Sequence, residues 1–89
     1  MVVKALFFGR FREITKRREQ HVNLGESALL ADLVDQLAVE YGDLFSRESG
    51  SRDSVNILIN GRHYQTLGGE RATLCQDDEV AFLQLMEGG

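Results

Sequence analysis

The chain has 89 residues, is 43% hydrophobic and 27% charged, and carries a net charge of −4. That length supports one small domain burying about 60–65% of its unfolded surface, and a stability on the order of 4–13 kcal/mol leaves little room for a strained interior active site. The composition is that of a folded domain rather than a disordered one, and the apolar runs fall far short of the ~20 residues needed to span a bilayer.

Met1-Val2-Val3-Lys4 runs directly into strand-like sequence with no leader pattern, so a cytoplasmic protein without a membrane segment is expected. Cys75 is the single cysteine and can form neither an intramolecular disulfide nor a metal site alone, which suits a reducing compartment. Residues 1–19 hold six basic and two acidic side chains, against four and twelve in residues 20–89. The acidic remainder argues against general nucleic-acid binding.

Val2 to Phe8 reads as a first strand, with Lys4 marking the solvent side. Val3, Ala5 and Phe7 then face inward, while Leu6 and Phe8 lie on the outer face. Gly9 ends the run. Arg10, Arg12, Lys16, Arg17 and Arg18 follow in what reads as a solvated hairpin connection, with docking to an acidic surface as the alternative. The stretch lacks the aromatic interleaving that single-stranded nucleic acid requires. Arg18 to Leu24 alternates again and should pair antiparallel with the first strand.

Gly25-Glu26-Ser27 is a turn in which Ser27 is a candidate helix N-cap. Leu30, Leu33, Val34, Leu37 and Tyr41 make the buried stripe of one amphipathic helix, and Gly42 should end it. Ser46 to Ser54 contains no apolar residue and reads as a surface loop. Val55 to Ile59 is a buried strand, Asn60-Gly61 a type I′ turn, and Arg62 to Gln65 its short return. Gly68-Gly69 and Gln76-Asp77-Asp78 are further turns. Glu79 to Leu85 alternates Val80 and Phe82 against Ala81, Leu83 and Leu85, making a last strand close to the C-terminus.

One helix thus covers one face of a sheet, and the other face carries Leu6, Phe8 and Leu83 as a docking patch near the exit of the tail, with Met86 beyond it. Two terminal glycines occur by chance in about one chain in 200 and alone mean little. Following an anchored strand, however, Gly88 and Gly89 offer the thinnest possible chain to a narrow channel. A carboxylate at Gly89 is anionic and a poor electrophile. Conversion to a mixed anhydride with AMP removes the charge and supplies a leaving group, so the chain would serve as substrate rather than catalyst. His21 and His63 have no ligand partners at metal spacing, and no nucleophile and base pair stands out, so no metal site is expected.

The segments Lys4-Ala5-Leu6-Phe7-Phe8, Arg12-Glu13-Ile14, Leu30-Ala31-Asp32-Leu33, Val55-Asn56-Ile57-Leu58-Ile59-Asn60-Gly61 and Asp78-Glu79-Val80-Ala81-Phe82-Leu83, with Gly88-Gly89, together resemble the ubiquitin-like sulfur carriers of the MoaD/ThiS type and the related small archaeal modifier proteins. The resemblance implies an α+β fold, the ubiquitin-like β-grasp, with a mixed sheet, one main helix on one face, and a flexible tail over residues 86–89. It implies that Gly89 is adenylated by an E1-like enzyme, which uses the ATP, and becomes a thiocarboxylate; the chain itself binds no cofactor. In molybdopterin synthase the tail enters the large subunit, and positions matching Phe8 and Leu83 lie in the subunit contact. Gln84-Leu85-Met86-Glu87 departs from the family, which usually has two prolines and a small residue there; this chain has no proline. A more flexible or more strand-like exit is predicted, since proline would fix φ. Two further classes remain open: a protein modifier joined through Gly89 to lysines of target proteins, and a β-grasp interaction module whose tail has no chemical role.

Overall fold

The computed structural model describes residues 1–50 and 55–84. Five strands form one mixed sheet in the order β2-β1-β5-β3-β4: β1 (Val2–Phe7), β2 (Glu19–Asn23), β3 (Val55–Ile59), β4 (Arg62–His63) and β5 (Glu79–Gln84). β1 and β2 form the expected antiparallel hairpin, with Val3 opposite Val22. β5 lies parallel to β1, with Ala5 opposite Val80 and Phe7 opposite Phe82, and antiparallel to β3. The terminal strand is therefore central in the sheet, held by hydrogen bonds on both edges.

Alternation sorts the side chains as expected. Val3, Ala5, Phe7, Val80 and Phe82 are fully buried on the inner face, joined by Val55, Ile57 and Ile59 from β3. α2 (Leu30–Tyr41) lays Leu30, Leu33 and Leu37 onto this face. The helix starts later than the expected cap: Ser27 sits in a turn at φ 65°, and the Asp32 carboxylate instead accepts the Leu29 N–H at 2.7 Å. Leu30 N–H donates to Ala72 O and Leu74 N–H to Ala28 O, so the segment before β5 clamps the entry to α2. Gly42, at φ 83°, ends the helix as expected.

Two segments differ from expectation in kind. The basic connection is not an open link but a short helix, α1 (Gly9–Thr15), and part of the expected loop belongs to α3 (Asp43–Ser49). Gly50 caps α3, and residues 51–54 of that loop lie outside the described residues. Each helix exists because one aromatic side chain anchors it: Phe11 and Phe45 are both fully buried. Phe11, Ile14 and Thr15 share one helical face, leaving the arginines outside. Three α-helices rather than one thus flank the sheet among the described residues.

A third correction concerns the return after Asn60-Gly61. The turn has the expected positive φ at both residues, 52° and 84°, but β4 stops at His63. Tyr64 turns inward to burial, and a 3₁₀ turn over Tyr64–Leu67 follows, closed by the Thr66 hydroxyl on His63 O at 2.8 Å.

Candidate functional site

Because β5 runs parallel to β1, its C-terminal end comes to lie where β1 gives way to α1. Phe8 N–H donates to Phe82 O at 3.1 Å, placing Phe8 beside Leu83 on the outer face. Gly9 permits the sharp turn there: its φ is 52°, and a Cβ at this position would contact Gln84 Oε1 at 3.5 Å.

Beneath this point lies an aromatic cluster. The Phe11 ring sits 5.5 Å from both Phe45 and Phe82, Phe45 lies 5.7 Å from Phe82, and Phe7 lies 5.9 Å from Phe82. These spacings fall in the favourable range for offset and edge-on rings. Polar contacts add a second tie: Gln84 Nε2 donates to the Glu48 carboxylate, which also pairs with Arg10 Nε at 3.4 Å. α1, α3 and β5 are therefore fastened together at the last described residues.

The outer face above this cluster carries Leu6, Phe8 and Leu83, the residues read from the sequence as a docking patch. Strand register sets Leu6, Phe8 and Leu83 on the same face of adjacent strands, Phe8 being 38% exposed. Register adds two members that the sequence reading passed over, since Ala81 stands between Leu6 and Leu58 in adjacent strands. The alternation within Val55–Ile59 carried that signal for Leu58, because three buried alternates leave it outward. Arg12 edges the patch: its guanidinium lies 5.6 Å from the Phe8 ring centroid, and its Nε–H donates to Phe7 O at 3.2 Å. A guanidinium over an aromatic face is attracted by the ring quadrupole. On the opposite side Lys4 bridges Glu19 and Glu79, 3.7 Å from each carboxylate. Leu85, Met86, Gly88 and Gly89, the expected exit and reacting positions, lie outside the described residues.

His21 and His63 fall on different strands, and His63 stacks on Tyr64 while its Nδ1 accepts the Gln65 N–H. Cys75 is an exposed free thiol in the turn before β5. Under the sheet, burial and the neighbouring Glu40 carboxylate push the Tyr41 hydroxyl above its ordinary pKa against the opposing effect of Arg17. His21 stands opposite Lys4 on the outer face, at the end of β1 away from Phe8. Among the described residues no helix is long and apolar enough to cross a membrane.

A mixed five-stranded sheet with a central C-terminal strand, covered by α2 on one face and, among the described residues, by no helix on the other, defines a ubiquitin-like β-grasp domain. The sequence pattern of the ThiS family matches residues 5–89, and the chain belongs to that family, among the ubiquitin-like sulfur carriers and modifiers. It is 30% identical to small archaeal modifier protein 3 of Haloferax volcanii over 92 residues, covering all of both chains. The solution structure of small archaeal modifier protein 1 from Methanosarcina acetivorans superposes with a TM-score of 0.79 at 30% identity, over 99% of this chain and 96% of that one. A Pyrococcus furiosus chain assigned as molybdopterin converting factor subunit 1 shares the fold, with a TM-score of 0.77 at 24% identity over 96% and 98% of the two chains.

Proposed function

We infer that this chain is a cytoplasmic sulfur carrier whose Gly89 carboxylate is the reacting group. An E1-like enzyme joins that carboxylate to AMP from ATP, and a sulfur donor then displaces AMP to leave a thiocarboxylate. Gly88 gives the access that a side chain would deny. The acceptor is a pterin precursor, the chain acting as the small subunit of molybdopterin synthase in molybdenum cofactor biosynthesis. The observation that carries this reading is the pairing of a partly exposed apolar patch with an anchored terminal strand. Leu6, Phe8, Ala81 and Leu83 lie together where β5 is fastened, so a partner holding the patch also holds the root of the tail. In this reading Met86 also belongs to the partner-binding residues.

A second reading is supported by the full-length 30% identity to a small archaeal modifier protein. In it the same adenylate is attacked by a lysine of a target protein and an isopeptide bond forms. Both readings share the activation step. The third class, an interaction module with an inert tail, predicts that only the patch matters.

Intact-mass measurement after incubation with the cognate activating enzyme, ATP and a sulfur donor separates them. The carrier reading expects one carboxylate oxygen replaced by sulfur, and loss of that product when Gly89 is deleted. Conjugates of higher mass mark the modifier. Formation of neither species, with the Gly89 deletion retaining full activity in the native host, would leave only the interaction module.

A further inference from the structure

An activated C-terminal carbonyl reacts with any accessible primary amine, so the chain's own amines decide whether it attacks copies of itself. There are only two lysines, Lys4 and Lys16; the other eight cationic side chains are arginines. Guanidinium groups stay protonated and do not act as acyl acceptors. The amino group of Met1 is engaged, donating to Leu24 O at 2.7 Å. Lys4 stands between two carboxylates and is half buried on the sheet, with 32% of its side chain exposed.

Lys16 differs in each respect. It is exposed, has no ion pair among the described residues, and caps α1 with φ 63°, its N–H returning to Arg12 O at 2.8 Å. The left-handed cap turns the chain away from the helix, at a point where Arg17 and Arg18 continue the exposed rim. The chain's positive charge is thus carried almost wholly by groups that cannot be acylated, and one open amine remains.

We propose that Lys16 is the acceptor site for self-conjugation, taking the acyl group of Gly89 from a second copy. This rests on activation of Gly89, which the carrier and modifier readings share. The Lys16 ammonium loses a proton to solvent, and its neutral amine attacks the Gly89 carbonyl carbon of the acyl adenylate. A C–N bond forms, the C–O bond to AMP breaks, AMP leaves with the electron pair, and the second proton passes to solvent. ATP is the co-reactant, consumed with release of pyrophosphate when the adenylate forms.

The test incubates the full chain with its cognate activating enzyme and ATP in the absence of a sulfur donor, monitoring pyrophosphate release and covalent dimer. A glutamate-specific protease cuts after Glu87 and leaves a Gly-Gly remnant on the acceptor, which mass spectrometry locates. The remnant is expected on Lys16 in about tenfold or greater excess over Lys4, whose two ion pairs must first be broken. Lys16→Arg, which keeps the charge, should lower the dimer yield about tenfold, and Lys4→Arg should leave it nearly unchanged. Pyrophosphate release without dimer, or undiminished dimer formed through Lys4 or Met1 in the Lys16→Arg chain, overturns the proposal while leaving activation intact. Absence of pyrophosphate release overturns the activation reading along with it.

Discussion

The two ends of β5 are fastened by different chemistry. At its N-terminal end the hold is polar: Asp78 accepts from Cys75 N–H at 2.8 Å and from Asn60 Nδ2 at 2.9 Å, while Asn60 and Glu79 exchange bonds at 2.8 and 2.9 Å. At its C-terminal end the hold is mainly apolar, built from the packed rings of Phe7, Phe11, Phe45 and Phe82, with the Gln84–Glu48–Arg10 contacts at the surface beside them. Polar turns fix direction at short range, whereas ring packing resists displacement of the whole end. The end from which the tail leaves is thus the one held by tertiary packing, and its position depends on two short helices outside the sheet.

Removing the apolar hold should have the largest effect. Phe45→Ala deletes a fully buried ring that packs on four others, and is expected to cost about 3–5 kcal/mol, as measured by urea denaturation. That is a large share of the roughly 4–13 kcal/mol available to a domain of this size. Phe45→Leu, which keeps most of the volume, should cost far less. A loss below about 1 kcal/mol for the alanine variant would mean that the helices decorate the strand end rather than hold it.

This contrast also explains what the sequence could reveal. The polar hold was legible, because Asn60-Gly61 and Gln76-Asp77-Asp78 announce turns through local backbone demands. So were the inward face of β1 and β5 and the stripe on α2, which follow periods of two and 3.6. The apolar hold was not. Phe11 lies among arginines, and Phe45 precedes a run with no apolar residue, so neither segment shows a repeating pattern. One aromatic side chain suffices to fix a seven-residue helix only when a cavity between distant elements is waiting for it, and that cavity is a tertiary fact. Tyr64 was misplaced for the same reason, drawn inward where strand alternation predicted a longer return. The strand faces of Leu6, Phe8 and Leu83 followed from alternation, and register set Ala81 and Leu58 beside Leu6.

An intermediate effect is expected at the polar end. Asp78→Ala removes the acceptor for Cys75 N–H and Asn60 Nδ2, and bonds to an ionised group contribute roughly 1.5–3 kcal/mol when buried, less at this exposed turn. We expect a loss of about 1 kcal/mol in urea denaturation, with Asp78→Asn recovering part of it. If Asp78→Ala destabilises as much as Phe45→Ala, the two holds are equivalent and the division between them fails.

The smallest effect on the fold, and the largest on association, should come from the outer face. Phe8 lies just past β1, more than a third exposed, with Arg12 over its ring. Phe8→Asp removes the apolar surface and the cation attraction together, yet opens no cavity in the core, so the midpoint of unfolding should move by no more than about 0.5 kcal/mol. A central aromatic contact in an interface is commonly worth about 2 kcal/mol, so affinity for the activating enzyme should fall roughly thirtyfold in a titration of the two proteins. Lowering salt cannot rescue this variant as it would a lost charge pair, because the missing surface is apolar. Unfolding of Phe8→Asp would instead show that the outer ring is part of the apolar hold, merging the patch with the cluster beneath it. Normal affinity in a folded variant would move the docking surface elsewhere and leave β5 anchored for a different partner.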